Sequence, residues 1–265
     1  MSGARHVVMF SGGIGSWATA RRVADTHGTD TLTLLFADTL VEDADTYRFL
    51  RDAAEQVGGQ LVTVADGRTP FEVFHDDHFL GNARLANCSK YLKQKPCRAW
   101  LEANADPADT TLYVGIDWSE THRLPAIVNG WAPYRVEAPL TDPPLLDKHS
   151  MVRAAERAGL KPPQAYADGF PHSNCLAQGC VRGGQSYWSH LLRTRPDVYH
   201  RAELAEQGVR TTGWGSDAAM LRDRTRGTST PLTLTTFRER MESQPSLLDD
   251  DWGACGCFTE TETTP

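Results

Sequence analysis

Several features that mark other protein classes are missing from this 265-residue chain. No apolar run reaches the roughly 18 residues that a membrane span needs, and no basic segment followed by a long apolar one opens the sequence, so we predict a cytoplasmic protein without membrane contact. Positive charge is scarce, with 27 Lys and Arg against 34 Asp and Glu. A broad surface for nucleic acid is therefore not expected, because neutralising phosphates needs clustered Lys and Arg. No fixed-period repeat occurs, which excludes a solenoid.

The composition that remains is that of an ordinary globular protein, with 40% hydrophobic and 23% charged residues. A chain of this length accommodates one α/β core and a smaller appended region. The chain has six cysteines and no secretion signal is recognised, which favours metal or redox chemistry over structural disulfides. The oligomeric state stays open, a homo-oligomer included.

The segment from His6 to Trp17, HVVMFSGGIGSW, predicts a buried strand, a tight turn and the start of a helix. Its glycines let the backbone approach an anion, and the helix N-terminus and two serine hydroxyls donate to one. The turn is therefore predicted to bind phosphate, with an ordinary strand-to-helix turn as the alternative. It matches neither GxxxxGK[ST] nor GxGxxG. The predicted anion ligands are Ser11, Gly12, Gly13, Gly15 and Ser16.

Buried strands and amphipathic helices alternate after this turn, which predicts a parallel sheet with helices on both faces. Residues 66–87 are expected to form a long loop, and residues 181–207 are expected to be mostly helical with an apolar face that includes Leu204. Strands are predicted at 31–36, 61–64 and 111–116, and helices at 17–27, 42–57 and 148–158.

Asp38 and Thr39 follow the second strand, where ligands of open α/β sheets bind; a helix N-cap is the alternative for this pair. The segment 87–101 is the most basic of this acidic chain and contains Lys90 and Lys93. It favours a phosphate or sulfate partner, and a solvated basic helix face is the alternative.

The turn resembles the SGGxDS loop of the PP-loop family, adenine-nucleotide enzymes that include ATP pyrophosphatases and the sulfonucleotide (PAPS and APS) reductases. Gly15 stands where that loop has Asp, a residue that helps to place a metal on the phosphates. The resemblance implies an adenine nucleotide alpha hydrolase-like α/β fold. It divides the chain into a nucleotide-binding domain at 1–165, a Cys-containing, mostly helical region at 166–245 and a flexible tail at 246–265.

Further segments resemble the reductases in order along the chain. Asp38-Thr39 and the acidic pair Glu42-Asp43 resemble the DTG…ET segment that follows their second strand, where the strand end contacts the nucleotide. Residues 87–101 resemble CC-x-x-[RK]-K-x-x-P-[LM], with Ser89 in place of the second cysteine. Residues 117–123 resemble GxR…ES…R and make Arg123 a candidate for a bidentate phosphate or sulfate contact.

Residues 166–180 resemble Y-x-x-G-Y-x-S-x-G-C-x-x-C, but four residues separate their two cysteines. In iron–sulfur members of the family, such cysteines hold a [4Fe–4S] cluster. The resemblance thus implies a cluster on Cys88, Cys175 and Cys180, with Cys97, a tail cysteine or no fourth protein ligand. Structural zinc on Cys88, Cys97, Cys175 and Cys180 is the second interpretation, and reduced cysteines without metal are the third.

Cys255-Gly256 in the tail is similar to the E-C-G-[LI]-H motif whose Cys attacks the sulfur of the sulfonucleotide, although Ala254 and Phe258 replace the flanking residues. The resemblance implies that Cys255 is the nucleophile. Cys255 and Cys257 are alternatively cluster ligands or a resolving pair.

Three functions follow. The first is a sulfonucleotide-reductase-like enzyme that uses PAPS or APS and a thioredoxin-like reductant. The second is an ATP- and Mg²⁺-dependent sulfurtransferase that thiolates tRNA or DNA and takes sulfur from a donor. The third is a non-catalytic nucleotide-binding partner.

Overall fold

The computed structural model of the chain describes residues 4–224, 228–243 and 252. Five parallel strands form its main sheet, in the order β3 (Gln60–Ala65), β2 (Leu32–Asp38), β1 (Arg5–Met9), β4 (Thr110–Tyr113) and β5 (Arg135–Glu137). The predicted α/β class with a parallel sheet is therefore confirmed.

Helices cover both faces of this sheet because alternate residues of each strand point to opposite sides. Val8 of β1 packs on one face with α1 (Ile14–His27), α2 (Ala44–Val57) and α7 (Lys148–Arg157). Its neighbours Val7 and Met9 pack on the other face with α5 (Lys95–Asn104) and α6 (Leu124–Trp131). The short helices α3 (Pro70–Asp76) and α4 (Asn87–Ser89) also belong to this part of the chain.

The C-terminal region builds a second apolar core around the buried rings of Tyr187, Trp188 and Tyr199. Phe74 and Leu80, from the segment after β3, pack into the same core. The predicted domain boundary at residue 165 stays a prediction. The elements here are α8 (Gln164–Ala167), α9 (Gln185–Thr194), α10 (Pro196–Arg210), α11 (Leu234–Ser243) and an antiparallel pair of β6 (Leu221–Asp223) and β7 (Thr230–Leu232).

Two expectations about local structure are wrong. The expected loop at 66–87 contains α3, whose N-terminus carries a capping box between Thr69 and Glu72 with Pro70 in the first turn. The pattern Thr-x-x-Glu is the sequence signal for such a helix start. Leu204, expected on the apolar face of α10, is 65% exposed.

None of the helices within the described ranges has both the length and the apolar character required to cross a bilayer.

Candidate nucleotide and cysteine site

The turn between β1 and α1 presents backbone groups at a helix N-terminus. Gly12 has a φ of +73°, a left-handed conformation that favours glycine. Gly13 is the N-cap of α1 without a side-chain cap, and the Ser16 hydroxyl donates back to the Gly13 carbonyl over 2.8 Å. The 14-residue helix directs its partial positive charge at this turn. Backbone N–H groups at a helix N-terminus of this kind can donate to an anion.

Gly15 packs closely against the segment that follows β4. A Cβ on Gly15 would lie 3.3 Å from the Gly115 carbonyl oxygen, and one on Gly115 would lie 3.1 Å from the Ser16 nitrogen. The turn thus packs backbone to backbone against the segment that follows β4. A side chain at either position requires this contact to open.

A cleft of about 400 Å³ lies in front of the turn. Arg123 and Lys148 bring positive charge to its wall, and Asp117 and Glu120 bring negative charge. Glu120 forms an ion pair with Arg123, and Asp117 accepts hydrogen bonds from the backbone and hydroxyl of Ser119. The wall also contains Ser11, Gly13, Gly15, Ser16, His122, Tyr166, His172, Ser173, Asn174 and Trp252.

Tyr166, the first residue of the 166–180 segment, also lines this cleft, although it was not among the predicted site residues. Its hydroxyl accepts a hydrogen bond from the Ile14 backbone N–H over 2.9 Å, in the first turn of α1. A phenol therefore stands beside the backbone groups that the turn offers to an anion.

A second cavity contains three of the cysteines predicted to hold a cluster. Cys88, Cys175 and Cys180 all line it. Cys88 lies in α4, which continues through a π-helical turn (Lys90–Gln94) into α5; such turns are frequent at functional sites. Cys175 has a φ of +56°, a left-handed conformation that costs a non-glycine residue about 1–3 kcal/mol. The surrounding contacts must offset that cost.

Glu42 makes those contacts. Its carboxylate accepts from the Cys175 backbone N–H and from the Thr39 hydroxyl, the latter over 3.0 Å. The Cys175 Sγ lies 3.8 Å and the Lys93 Nζ 4.0 Å from the same carboxylate. Only 1% of the Glu42 side chain is exposed, so these groups replace its hydration. Sequence reasoning did not place Glu42 in the site.

The cleft and the cysteine cavity adjoin. Asn174 lines both of them, its neighbour Ser173 lines the cleft, and Cys175 lines the cysteine cavity. The turn and the three cysteines therefore border neighbouring spaces.

Three of the other candidates lie away from the cleft wall. Thr39 and Lys93 line the cysteine cavity. Asp38 accepts from the Tyr47 hydroxyl over 2.5 Å and from the Leu40 backbone N–H. Burial and this carboxylate raise the pKa of the Tyr47 phenol. The alternative of a helix N-cap at Asp38-Thr39 is wrong, because Asp43 is the N-cap of α2.

Lys90 and Cys97 line neither cavity. Cys97 is fully buried in the core between α5 and the sheet, and burial raises the pKa of its thiol to about 12. Cys255 lies outside the described residues. Trp252, three residues before it in the sequence, lines the cleft.

Within the described ranges, no group of three or more His, Cys, Asp or Glu side chains is placed to hold a single metal ion. A zinc ion takes four ligands at one point, whereas each cysteine of a [4Fe–4S] cluster binds a different iron. Three thiols line one cavity, and thiolates are donors for both groups.

No protein-family model matches this chain, and no curated protein matches it. Solved structures similar to it include the phosphoadenylyl-sulfate (PAPS) reductase from Candida auris in a phosphate complex. That likeness has a TM-score of 0.44 and 18% sequence identity, and it covers 62% of this chain and 78% of the reductase.

Proposed function

We propose that the chain is an enzyme of the sulfonucleotide-reductase kind, which binds PAPS or APS in the cleft and transfers or reduces sulfur beside the cysteine cavity. The observation that carries this proposal is the shared wall at Asn174. It brings an anion-binding turn and three thiols to one place.

In this proposal the turn and Arg123 bind the phosphate and sulfo oxygens, since guanidinium and backbone N–H groups are strong anion donors. Lys93 adds a positive charge from the side of the cysteines. We assign Asp38 and Thr39 to the part of the site nearest the second strand. Lys90 is assigned to attract the anionic groups of the nucleotide.

The chemical step is proposed for Cys255. Its thiolate attacks the sulfur of the sulfonucleotide, an S–S bond forms, and the S–O bond to the phosphate breaks so that the nucleotide leaves with the electron pair. A thioredoxin-like dithiol then reduces the thiosulfonate, which releases sulfite and leaves the reductant as a disulfide. Failure to detect ³⁵S on Cys255 after incubation with labelled APS or PAPS would refute this step; Cys257→Ala is the matched control.

The proposal assigns Cys88, Cys175 and Cys180 to a [4Fe–4S] cluster, which when bound supplies a redox-active, charged group beside the substrate. We expect iron and sulfide in anaerobically purified protein, lost in Cys175→Ala and retained in Cys97→Ala, because Cys97 lies in a different core. Zinc in their place, or equal iron in both variants, would remove the cluster from the proposal.

A second candidate is the ATP-dependent sulfurtransferase acting on tRNA or DNA. Asp117 and Glu120 favour it, because carboxylates in a phosphate cleft are the ligands that Mg²⁺ prefers. Pyrophosphate release from ATP that requires both Mg²⁺ and added nucleic acid would decide for it. Binding without turnover of any of these nucleotides would instead support a non-catalytic partner.

A further inference from the structure

The three residues His172, Ser173 and Asn174 run from the nucleotide cleft to the cysteine cavity. His172 and Ser173 line the cleft, Asn174 lines both spaces, and Cys175 lines only the second. Whatever part of a nucleotide extends from the phosphate turn toward the thiols must pass this strip of chain.

His172 is an enclosed imidazole whose Nδ1 has no hydrogen-bond partner among the described residues. Its ring stacks on Tyr187 with centroids 5.8 Å apart. Burial, helped by the positive charges of Lys93 and Lys148, lowers its pKa to about 4. The imidazole is therefore neutral at physiological pH, and it can donate one hydrogen bond without carrying charge.

Ser173 is fully buried, and its Oγ likewise lacks a partner within the described part of the chain. The Thr46 hydroxyl donates to its backbone carbonyl over 3.3 Å, which ties the strip to α2. The Ser173 Oγ lies 4.0 Å from where a Cβ would stand on Gly13, so it faces the phosphate turn. Two adjacent buried polar atoms without partners in one cleft wall are unusual, since buried polar groups are nearly always hydrogen-bonded.

We propose that the His172 Nδ1 and the Ser173 Oγ are positioning groups for the terminal anionic group of the bound nucleotide, the sulfo group of APS or PAPS, which they hold between the phosphate turn and the cysteines. This inference rests on the proposed function. Both atoms donate to oxygens of that group, while the compensating charge comes from Lys93 and Lys148 on either side. No proton is transferred in this role.

The proposal separates nucleotides that carry the terminal group from those that lack it. APS and AMP differ only in the sulfo group, so we compare their dissociation constants by calorimetry. Loss of a hydrogen bond to a charged group costs roughly tenfold to a hundredfold in affinity. We expect His172→Phe and Ser173→Ala to weaken APS binding by about that factor and to leave AMP binding within about twofold of wild type.

His172→Asn and His172→Gln provide the rescue test. The amide nitrogen of Asn reaches about the place of Nδ1, whereas that of Gln reaches about the place of Nε2. Asn is therefore expected to retain most of the preference for APS over AMP, and Gln is expected to lose it. Ser243→Ala, at an exposed hydroxyl that donates to the Arg240 carbonyl in α11 and lines neither cavity, is the matched control and leaves the preference unchanged.

The outcomes distinguish this inference from the proposed function. Equal losses for APS and AMP in the His172 and Ser173 variants, or no loss for either, would overturn the inference while wild-type binding of APS still supports the function. Wild-type protein that binds neither APS nor PAPS would overturn both. Circular dichroism of each variant identifies any that fails to fold. If Ser173→Ala does not fold, Ser173→Thr, which retains the hydroxyl, takes its place. A wild-type preference for APS over AMP in Ser173→Thr supports the role, and loss of that preference contradicts it.

Discussion

Replacing Glu42 with Gln should destabilise the protein out of proportion to the small change in shape. The carboxylate lies 4.0 Å from Lys93 Nζ, and the two side chains are 1% and 9% exposed. At that distance and an effective dielectric constant near 20, the Coulomb attraction is about 4 kcal/mol. Removing one partner of a buried pair typically costs about 3–5 kcal/mol.

The amide of Gln also conflicts with its surroundings. One carboxylate oxygen accepts from the Cys175 backbone and the other from Thr39 while it faces Lys93. An NH₂ group in either place turns toward a donor or a positive charge. We therefore expect Glu42→Gln to lower the free energy of unfolding by about 3–5 kcal/mol.

Urea denaturation followed by circular dichroism measures this loss. The double variant Glu42→Gln, Lys93→Met should lose less than the sum of the single variants, because removing both charges leaves neither one buried alone. Asp25→Asn is the control: its pair with Arg21 is exposed and should contribute less than about 1 kcal/mol. A loss below about 1 kcal/mol for Glu42→Gln at an unchanged m-value would refute the reasoning.

Three further predictions concern stability. Gly183→Ala places a Cβ 2.2 Å from the buried Tyr187 ring, so it should lower the free energy of unfolding by several kcal/mol or prevent folding. Gly130→Ala, in open space on α6, should instead raise it by about 0.5–1 kcal/mol. Thermal unfolding measures both changes. In the folded protein the pKa of His172 is about 4, below its usual value of 6.5, so protonation favours the unfolded chain. The free energy of unfolding should therefore fall by about 3 kcal/mol between pH 6.5 and pH 4. Urea denaturation at several pH values should show that His172→Asn removes this contribution to the pH dependence. Glu206→Ala leaves the buried N–H groups of Met220 and Leu234 without their acceptor and should cost about 2–6 kcal/mol, and an unfolding midpoint equal to wild type would contradict this.

The parallel sheet was predictable because each of its features has a local signal. Apolar runs such as Val7–Met9 mark buried strands, and amphipathic spacing marks the helices between them. Apart from some residues at the ends, the predicted strands and helices of the first 160 residues exist. The capping box at Thr69 is an equally local signal, so the start of α3 is also a feature that the sequence alone can indicate.

The interior of the site was less predictable, because its contacts join distant parts of the chain. Glu42 and Cys175 are 133 residues apart, and Tyr166 reaches Ile14 across 152 residues. Cys97 shows the converse. It lies only nine residues after Cys88 in the sequence, yet α5 buries it in the core against the sheet, and it does not line the cysteine cavity. Motif spacing in the sequence indicates which types of residue form such a site, but it does not indicate which of these residues contact each other.

Gly15 connects the packing of the turn to the choice of nucleotide. The Cβ of an aspartate here would lie 3.3 Å from the Gly115 carbonyl oxygen, so this contact would have to open slightly. With Gly15 in that place, a metal on the phosphates needs other ligands. Asp117 and Glu120 are the carboxylates of the cleft wall in the described part of the chain, but one Asp117 oxygen accepts two bonds from Ser119, and Glu120 pairs with Arg123. Cleaving ATP with Mg²⁺ requires these contacts to rearrange. A sulfonucleotide requires only anion donors and a nucleophile, and for that reason we rank it first.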